Sequence, residues 1–406
     1  MNLSLIKNQF GLFFACFALC LIVPYASNAT VIALAVAAIG KHKIAPLFFN
    51  IKQQINQSCF LSVLAIIAIG FLSSLWSIMP SVSLSLASRI LILFLVLNLN
   101  LSIIKNLDAR TSSALQKTLI TAFVLLLVFY GFDLATGATL ASLIKGEEQL
   151  NFTRIGRGAA LLAVMSMPIS VMIYKQKQKL WQSILFLLAS FLIITLLPMR
   201  SAIISILLSF ISFILVYSLR KSAIIVIFSC IIIALTSAPY ISLNYVNFDT
   251  TKDYASSIPS SWRHRLVIWE YCSKLIAAKP LLGYGLETSR ELGKTAPQKI
   301  ITTEQNEDHP HLASALPLHP HNMAIQVWLE LGLLGIAAFA LLIFQIMKTA
   351  LKRIRNDDII TAATITSVSA SGFFIASFSF GIWQNWWLAG LFLSVMLVKI
   401  SKKKHI

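Results

Sequence analysis

The sequence predicts an all-α polytopic membrane protein of about 12 transmembrane helices, with one large loop that contains interfacial helices. Three observations carry this. Apolar residues fill 57% of the 406 positions and charged residues only 12%, with a mean hydropathy of +0.81. A soluble domain of this length needs far more charge to cover its surface, so lipid is the solvent for most of the chain. Apolar runs recur at the ~20-residue length of a membrane crossing. Positive charge, finally, gathers in alternate connecting segments.

The runs place spans near 8–23, 25–40, 59–78, 83–101, 117–136, 158–174, 182–198, 201–218, 222–238, 322–347, 360–381 and 385–400. Residues 1–238 thus read as an N-terminal membrane bundle of about nine spans, 239–321 as the large loop, and 322–406 as C-terminal spans with a tail. Lys7 followed by an apolar stretch and Ser27-Asn28-Ala29 has the outline of a signal peptide. Hydrophobicity resumes at once from Thr30 to Ile39, which fits a helical hairpin turning near Pro24 better. No internal repeat is evident, against the inverted-repeat transporters.

The formal charge of +18 is a topology signal. With the N-terminus inside, the inner segments hold Lys7, Lys41, Lys43, Lys52, Lys105, Arg110, Lys117, Lys175, Lys177, Lys179, Arg220, Lys221, Lys348, Lys352, Arg353, Arg355, Lys399, Lys402, Lys403 and Lys404. Their acids are Asp108, Asp357 and Asp358, whereas the eight basic and eight acidic residues of 239–321 cancel. This is the positive-inside pattern, with both termini cytoplasmic, and it gives no reason to expect nucleic acid. The five cysteines (Cys16, Cys20, Cys59, Cys230 and Cys272) show no CxxC or Cys/His metal spacing.

Charges left near apolar spans are costly, so each is a functional candidate. Arg89, Asp133, Arg154, Arg157 and Arg200 all fall at the outer ends of predicted spans. Snorkelling to headgroups is one reading of the arginines. For Arg157 and Arg200, both at span entrances, anion binding is favoured, because guanidinium keeps its charge in low dielectric and forks onto phosphate oxygens.

Within the loop, Ser261-Trp-Arg-His-Arg-Leu-Val-Ile-Trp-Glu-Tyr271 has helical spacing, with Trp262, Leu266 and Trp269 on one stripe. It predicts a helix lying along the membrane interface, with Arg265 at the wet border and Arg263 on a solvated face. Pro280-Leu-Leu-Gly-Tyr-Gly285 reads as a turn and has neither GxGxxG nor Walker spacing. The densest polar cluster is His309, His311, His319, His321 and Asn322, followed by Gln326, Trp328 and Glu330. Its histidines suit either metal ligation beside Glu304, Glu307 and Asp308, or general-base catalysis by a neutral imidazole. Glu330 is half a turn out of phase with His321 and reads as a structural hydrogen-bonding residue.

His319-Pro-His-Asn-Met-Ala-Ile-Gln-Val-Trp-Leu-Glu-Leu-Gly-Leu-Leu-Gly335 resembles the signature segment of the O-antigen ligase and O-antigen polymerase superfamily. There a histidine-asparagine pair opens a helix running into Glu-x-Gly-x-x-Gly. Gly156-Arg-Gly158, Arg200-Ser-Ala202, and Arg265 with Trp269 and Gly283-Tyr-Gly285 look like its other stations, in the same order. The resemblance is specific over 262–335 and loose elsewhere.

It implies a metal-independent, inverting glycosyltransferase of the bacterial inner membrane whose active site faces the periplasm. The donor is a glycan on undecaprenyl diphosphate, and no cofactor is expected. On that reading His321, Arg200 and Arg265 are catalytic, with His321 as general base. Arg157, Arg89, Arg154, His319 and Asn322 bind substrate. Displacing a lipid diphosphate develops negative charge that fixed cations stabilise, and a sugar hydroxyl needs a base. The single long loop and compact C-terminus look ligase-like, with lipid A–core oligosaccharide as acceptor. A polymerase joining repeat units is the alternative, and a lipid-linked-oligosaccharide flippase is the alternative from another class. A flippase would want charges along a central inner-leaflet pathway, which the seventh to ninth predicted spans do not show.

Overall fold

A computed structural model describes residues 58–139, 142, 156–246, 260–300 and 312–401. The expected spans 8–23 and 25–40 lie outside these, as do Arg154, His309 and His311. The chain is a helical bundle built from α1 (Ser58–Ser73), α2 (Pro80–Asn106), α3 (Ala109–Thr136), α4 (Gly156–Lys177), α5 (Leu180–Leu196), α6 (Arg200–Leu219), α7 (Lys221–Asn244), α10 (Met323–Arg355), α11 (Ile359–Phe378) and α12 (Asn385–Ser401). Between α7 and α10 come α8 (Ser260–Ala278), α9 (Ser289–Lys294), and the antiparallel pair β1 (Gln298–Ile300) and β2 (Leu312–Ser314).

Each of the ten expected spans that falls within the described residues is met by a helix. Seven of these helices are long and apolar enough to cross a membrane; α1, α5 and α12, at 16, 17 and 17 residues, are shorter apolar helices. Helix starts follow local chemistry. Pro80 opens α2, where a missing N–H costs nothing. Asp108 caps α3 by accepting from Thr111 N at 2.7 Å. Asn322 caps α10 by accepting from Ala324 N and Ile325 N at 2.9 and 3.2 Å.

Helix α4 is the central post. From Gly156 to Ile173 every residue except Arg157 is buried, and α5, α6, α11 and α12 all pack around it. Its glycines and alanines permit that approach without leaving lipid-facing side chains between the helices.

Helix α10 is not the continuous span the sequence predicts. Gly332 stands at φ 59°, ψ −155° and interrupts it. A Cβ there would lie 2.5 Å from the Leu281 carbonyl carbon and oxygen, so only glycine fits. The Pro280–Gly285 turn fills the break. Tyr284 N and Gly285 N donate to the Leu329 and Glu330 carbonyls at 3.0 and 2.8 Å, and Leu333 N donates to the Pro280 carbonyl at 2.8 Å. The turn therefore replaces helical hydrogen bonds that a membrane interior cannot supply from water.

The expectation for α8 is corrected in one respect. Its Trp262/Leu266/Trp269 stripe is packed into protein, with Trp262 and Trp269 against Phe378 at ring-centroid distances of 5.8 and 6.0 Å. Arg263, expected on a solvated face, is only 5% exposed. Residues two apart on an α-helix point ~200° apart, so turning Arg265 toward the bundle turns Arg263 into the body of the loop. There β2 closes on α8, with His264 Nε2 donating to the Ser314 carbonyl at 2.8 Å.

Candidate active site

A cleft of about 640 Å³ opens where α4 and α6 begin, α11 ends and α8 crosses them. Arg157, Arg200 and Arg265 all line it. Arg157 arrives because it is the one residue of the first turns of α4 that escapes burial. Arg200 is the first residue of α6, after the extended Pro198-Met199 turn. Arg265 is delivered by the clamp of Trp262 and Trp269 on Phe378, its guanidinium 5.3 Å from the Trp262 ring centroid. No carboxylate pairs with Arg200 or Arg265 among the described residues. Burial lowers the Arg265 pKa from its ordinary value, although guanidinium stays protonated at any working pH. Two cations without a carboxylate partner, in a cleft walled by Met199, Ile204, Phe374, Phe378 and Phe380, suit an anion that carries an apolar tail.

His321 stands beside this cleft. Its Nδ1 pairs with the Ser379 carbonyl at 2.9 Å, and Ser379 Oγ donates to Ser201 Oγ at 2.7 Å. Both serines line the cleft. A carbonyl only accepts, so Nδ1 carries the proton and Nε2 is left with its lone pair. Desolvation lowers the His321 pKa, helped by Arg265 and His264 and opposed by the Ser379 bond. The imidazole is thus neutral near pH 7. His321 also holds φ 53°, a left-handed conformation that favours glycine and strains a side-chain-bearing residue. Such strain costs ~1–3 kcal/mol and persists where surrounding structure enforces it. Here Trp269 Nε1 grips the Pro320 carbonyl at 2.9 Å on one side, and the Asn322 cap holds the other.

His319 lies against His321 with ring centroids 4.2 Å apart. Burial, chiefly, with the His321 and Arg290 charges, pushes its pKa down to about 3. Its Nε2 is buried with no hydrogen-bond partner among the described residues. Gly381 makes room for it, since a Cβ there would sit 3.2 Å from the His319 ring. The Asn322 carbonyl oxygen is committed to the α10 cap.

Not every sequence candidate reaches the cleft. Arg89 is ion-paired with Glu287 at 3.3 Å, away from the cleft lining. Asp133 is buried at the end of α3 and also does not line it. Among the described residues no group of three or more His, Cys, Asp or Glu side chains is arranged to hold a metal ion. Sequence reasoning missed Ser201 and Ser379. The first follows Arg200 and was open to notice; the second ends an apolar run and gives no local signal.

Residues 184–340 match the family model described as O-Antigen ligase. A Rickettsia typhi protein that carries the provisional name polysaccharide ligase is 27% identical over 84% of this chain and 80% of its own length. A Rickettsia conorii protein of the same provisional name is 26% identical over 83% and 78%. A Rickettsia bellii protein so named reaches 33% over 38% of this chain and 35% of its own. The matched segment runs from α5 through the break in α10 and so includes Arg200, Arg265, His319, His321 and Glu330. The chain is thus similar to the O-antigen ligase family over 184–340 and to these provisionally named polysaccharide ligases over most of its length.

Proposed function

We propose that this protein is an O-antigen ligase, an inverting glycosyltransferase at the periplasmic face of the inner membrane. It transfers a glycan from undecaprenyl diphosphate to a hydroxyl of lipid A–core oligosaccharide. The observation that carries this is the convergence of Arg157, Arg200 and Arg265 on one cleft beside a neutral imidazole with Nε2 free. The cleft lies at the end of the bundle where α4 and α6 begin, opposite Lys175, Lys177 and Arg220 at the far ends of those helices. This supports the side assigned by the positive-inside rule.

His321 Nε2 takes the proton of the acceptor hydroxyl as its oxygen attacks the anomeric carbon. The glycosidic C–O bond breaks, its electron pair goes to the diphosphate oxygen, and undecaprenyl diphosphate departs. One displacement inverts the anomeric configuration. The arginines stabilise the charge developing on the leaving group, the role a divalent ion fills elsewhere. His319 contacts the acceptor or supports His321.

The glycan's fate after gene loss tests the assignment. A ligase predicts full-length polymer retained on the carrier lipid and bare core in the outer membrane. Core bearing a single repeat unit would make the protein a polymerase instead. Loss of donor movement across reconstituted vesicles, with transfer intact on the outer side, would mark a flippase.

A further inference from the structure

Glu330 takes no part in the chemistry above, yet it has no exposed surface and is fully satisfied by neutral donors. One carboxylate oxygen accepts from Glu287 N and Trp383 Nε1, each at 2.6 Å. The other accepts from Ser289 Oγ and from Gln326 Nε2, the latter at 3.0 Å. Gln326 in turn accepts from Ile382 N through Oε1 at 3.0 Å, which fixes its amide orientation. Three pieces of chain meet here: the break in α10, the loop at 287–289, and the turn between α11 and α12. That turn also carries Ser379, whose carbonyl holds His321, and Gly381, against which His319 rests.

We propose that Glu330 is a positioning residue for His321: it anchors the 379–383 turn, and through the Ser379 carbonyl the turn sets the tautomer and aim of the imidazole. This rests on the reading of His321 as general base. A buried carboxylate with four donors is a rigid junction, and outer-shell partners of this kind fix the orientation of the groups they support. Glutamine cannot replace it. Its amide would face two donors in either orientation, and flipping Gln326 to accommodate it would sacrifice the Ile382 bond.

The test is transfer from an undecaprenyl-diphosphate-linked glycan to lipid A–core by the full-length protein in nanodiscs. Glu330→Gln is expected to lower kcat by ~10–100-fold with the donor KM little changed. The Ser379 bond raises the His321 pKa, so loosening it lowers that pKa further and moves the acid limb of kcat to lower pH by about half a unit or more. Among the described residues, the other charged or titratable groups around His321 are Arg265 and His264 on α8, His319, and Arg157 and Arg200 in the adjoining cleft. All are unchanged in the variant. Trp383→Phe, which removes one donor and keeps most of the ring, should move both quantities the same way by less. It serves as the readout if Glu330→Gln does not fold. An unmoved acid limb in the folded variants, whatever their kcat, overturns the proposal. If His321→Ala itself keeps the acid limb, the failure lies in the base assignment; if only the Glu330 and Trp383 variants keep it, the failure is confined to this proposal.

Discussion

Replacing Arg265 by lysine keeps one positive charge in the cleft and removes only the planar fork. The guanidinium lies 5.3 Å from the Trp262 ring and has no carboxylate partner among the described residues, and on the proposed reading its donors meet the substrate diphosphate. An ammonium makes one contact where guanidinium makes two parallel ones. Loss of one charge-assisted contact in the transition state costs ~2–4 kcal/mol, which is about a 30- to 1,000-fold loss of turnover. Arg265→Met adds a second signature. The Arg265 charge is among the influences that lower the His321 pKa, so removing it raises that pKa and shifts the acid limb of the rate profile to higher pH. Arg265→Lys keeps the charge and should leave the limb in place. Both variants are assayed as purified protein in nanodiscs, with thermal unfolding as the folding control. Wild-type turnover in Arg265→Lys would reduce Arg265 to an interfacial anchor. A stationary acid limb in Arg265→Met would refute the electrostatic link to His321.

Three further outcomes are expected. His321→Ala should lower turnover by ~10²–10⁴-fold and abolish the acid limb while lipid-linked donor still binds, and chelators should leave the wild type unaffected. Restoration of chelator-treated enzyme by a divalent ion would contradict this. Gly332→Ala should cost ~3 kcal/mol or more, because the new Cβ meets the Leu281 backbone and φ is 59°; an unchanged thermal midpoint would mean the break in α10 relaxes freely. For topology, Lys299→Cys should react with an impermeant thiol reagent in intact spheroplasts and Lys352→Cys should not, each judged in a background lacking the native cysteines. The reverse pattern would invert the orientation.

The sequence by itself determined the membrane bundle and the order of its helices, because an apolar run of span length has only one stable solution in lipid, where every backbone group must bond within its own segment. It also named the three cleft arginines and the histidine pair, since an arginine at a span end or a histidine at a helix entrance stands out against an apolar background. It could not see the break in α10. Gly332 sits in a run as apolar as any other span, and only the docked Pro280–Gly285 turn turns its glycine into a requirement. The sequence set Arg265 apart from Arg263 but left Arg263 on a solvated face: its burial depends on which face of α8 meets the bundle, and Phe378, more than 100 residues away in the chain, decides that. The same holds for Ser379 beside His321 and for Trp383 beside Glu330. These contacts join segments distant in the chain, and no local propensity or periodicity encodes a partner brought near only when helices pack.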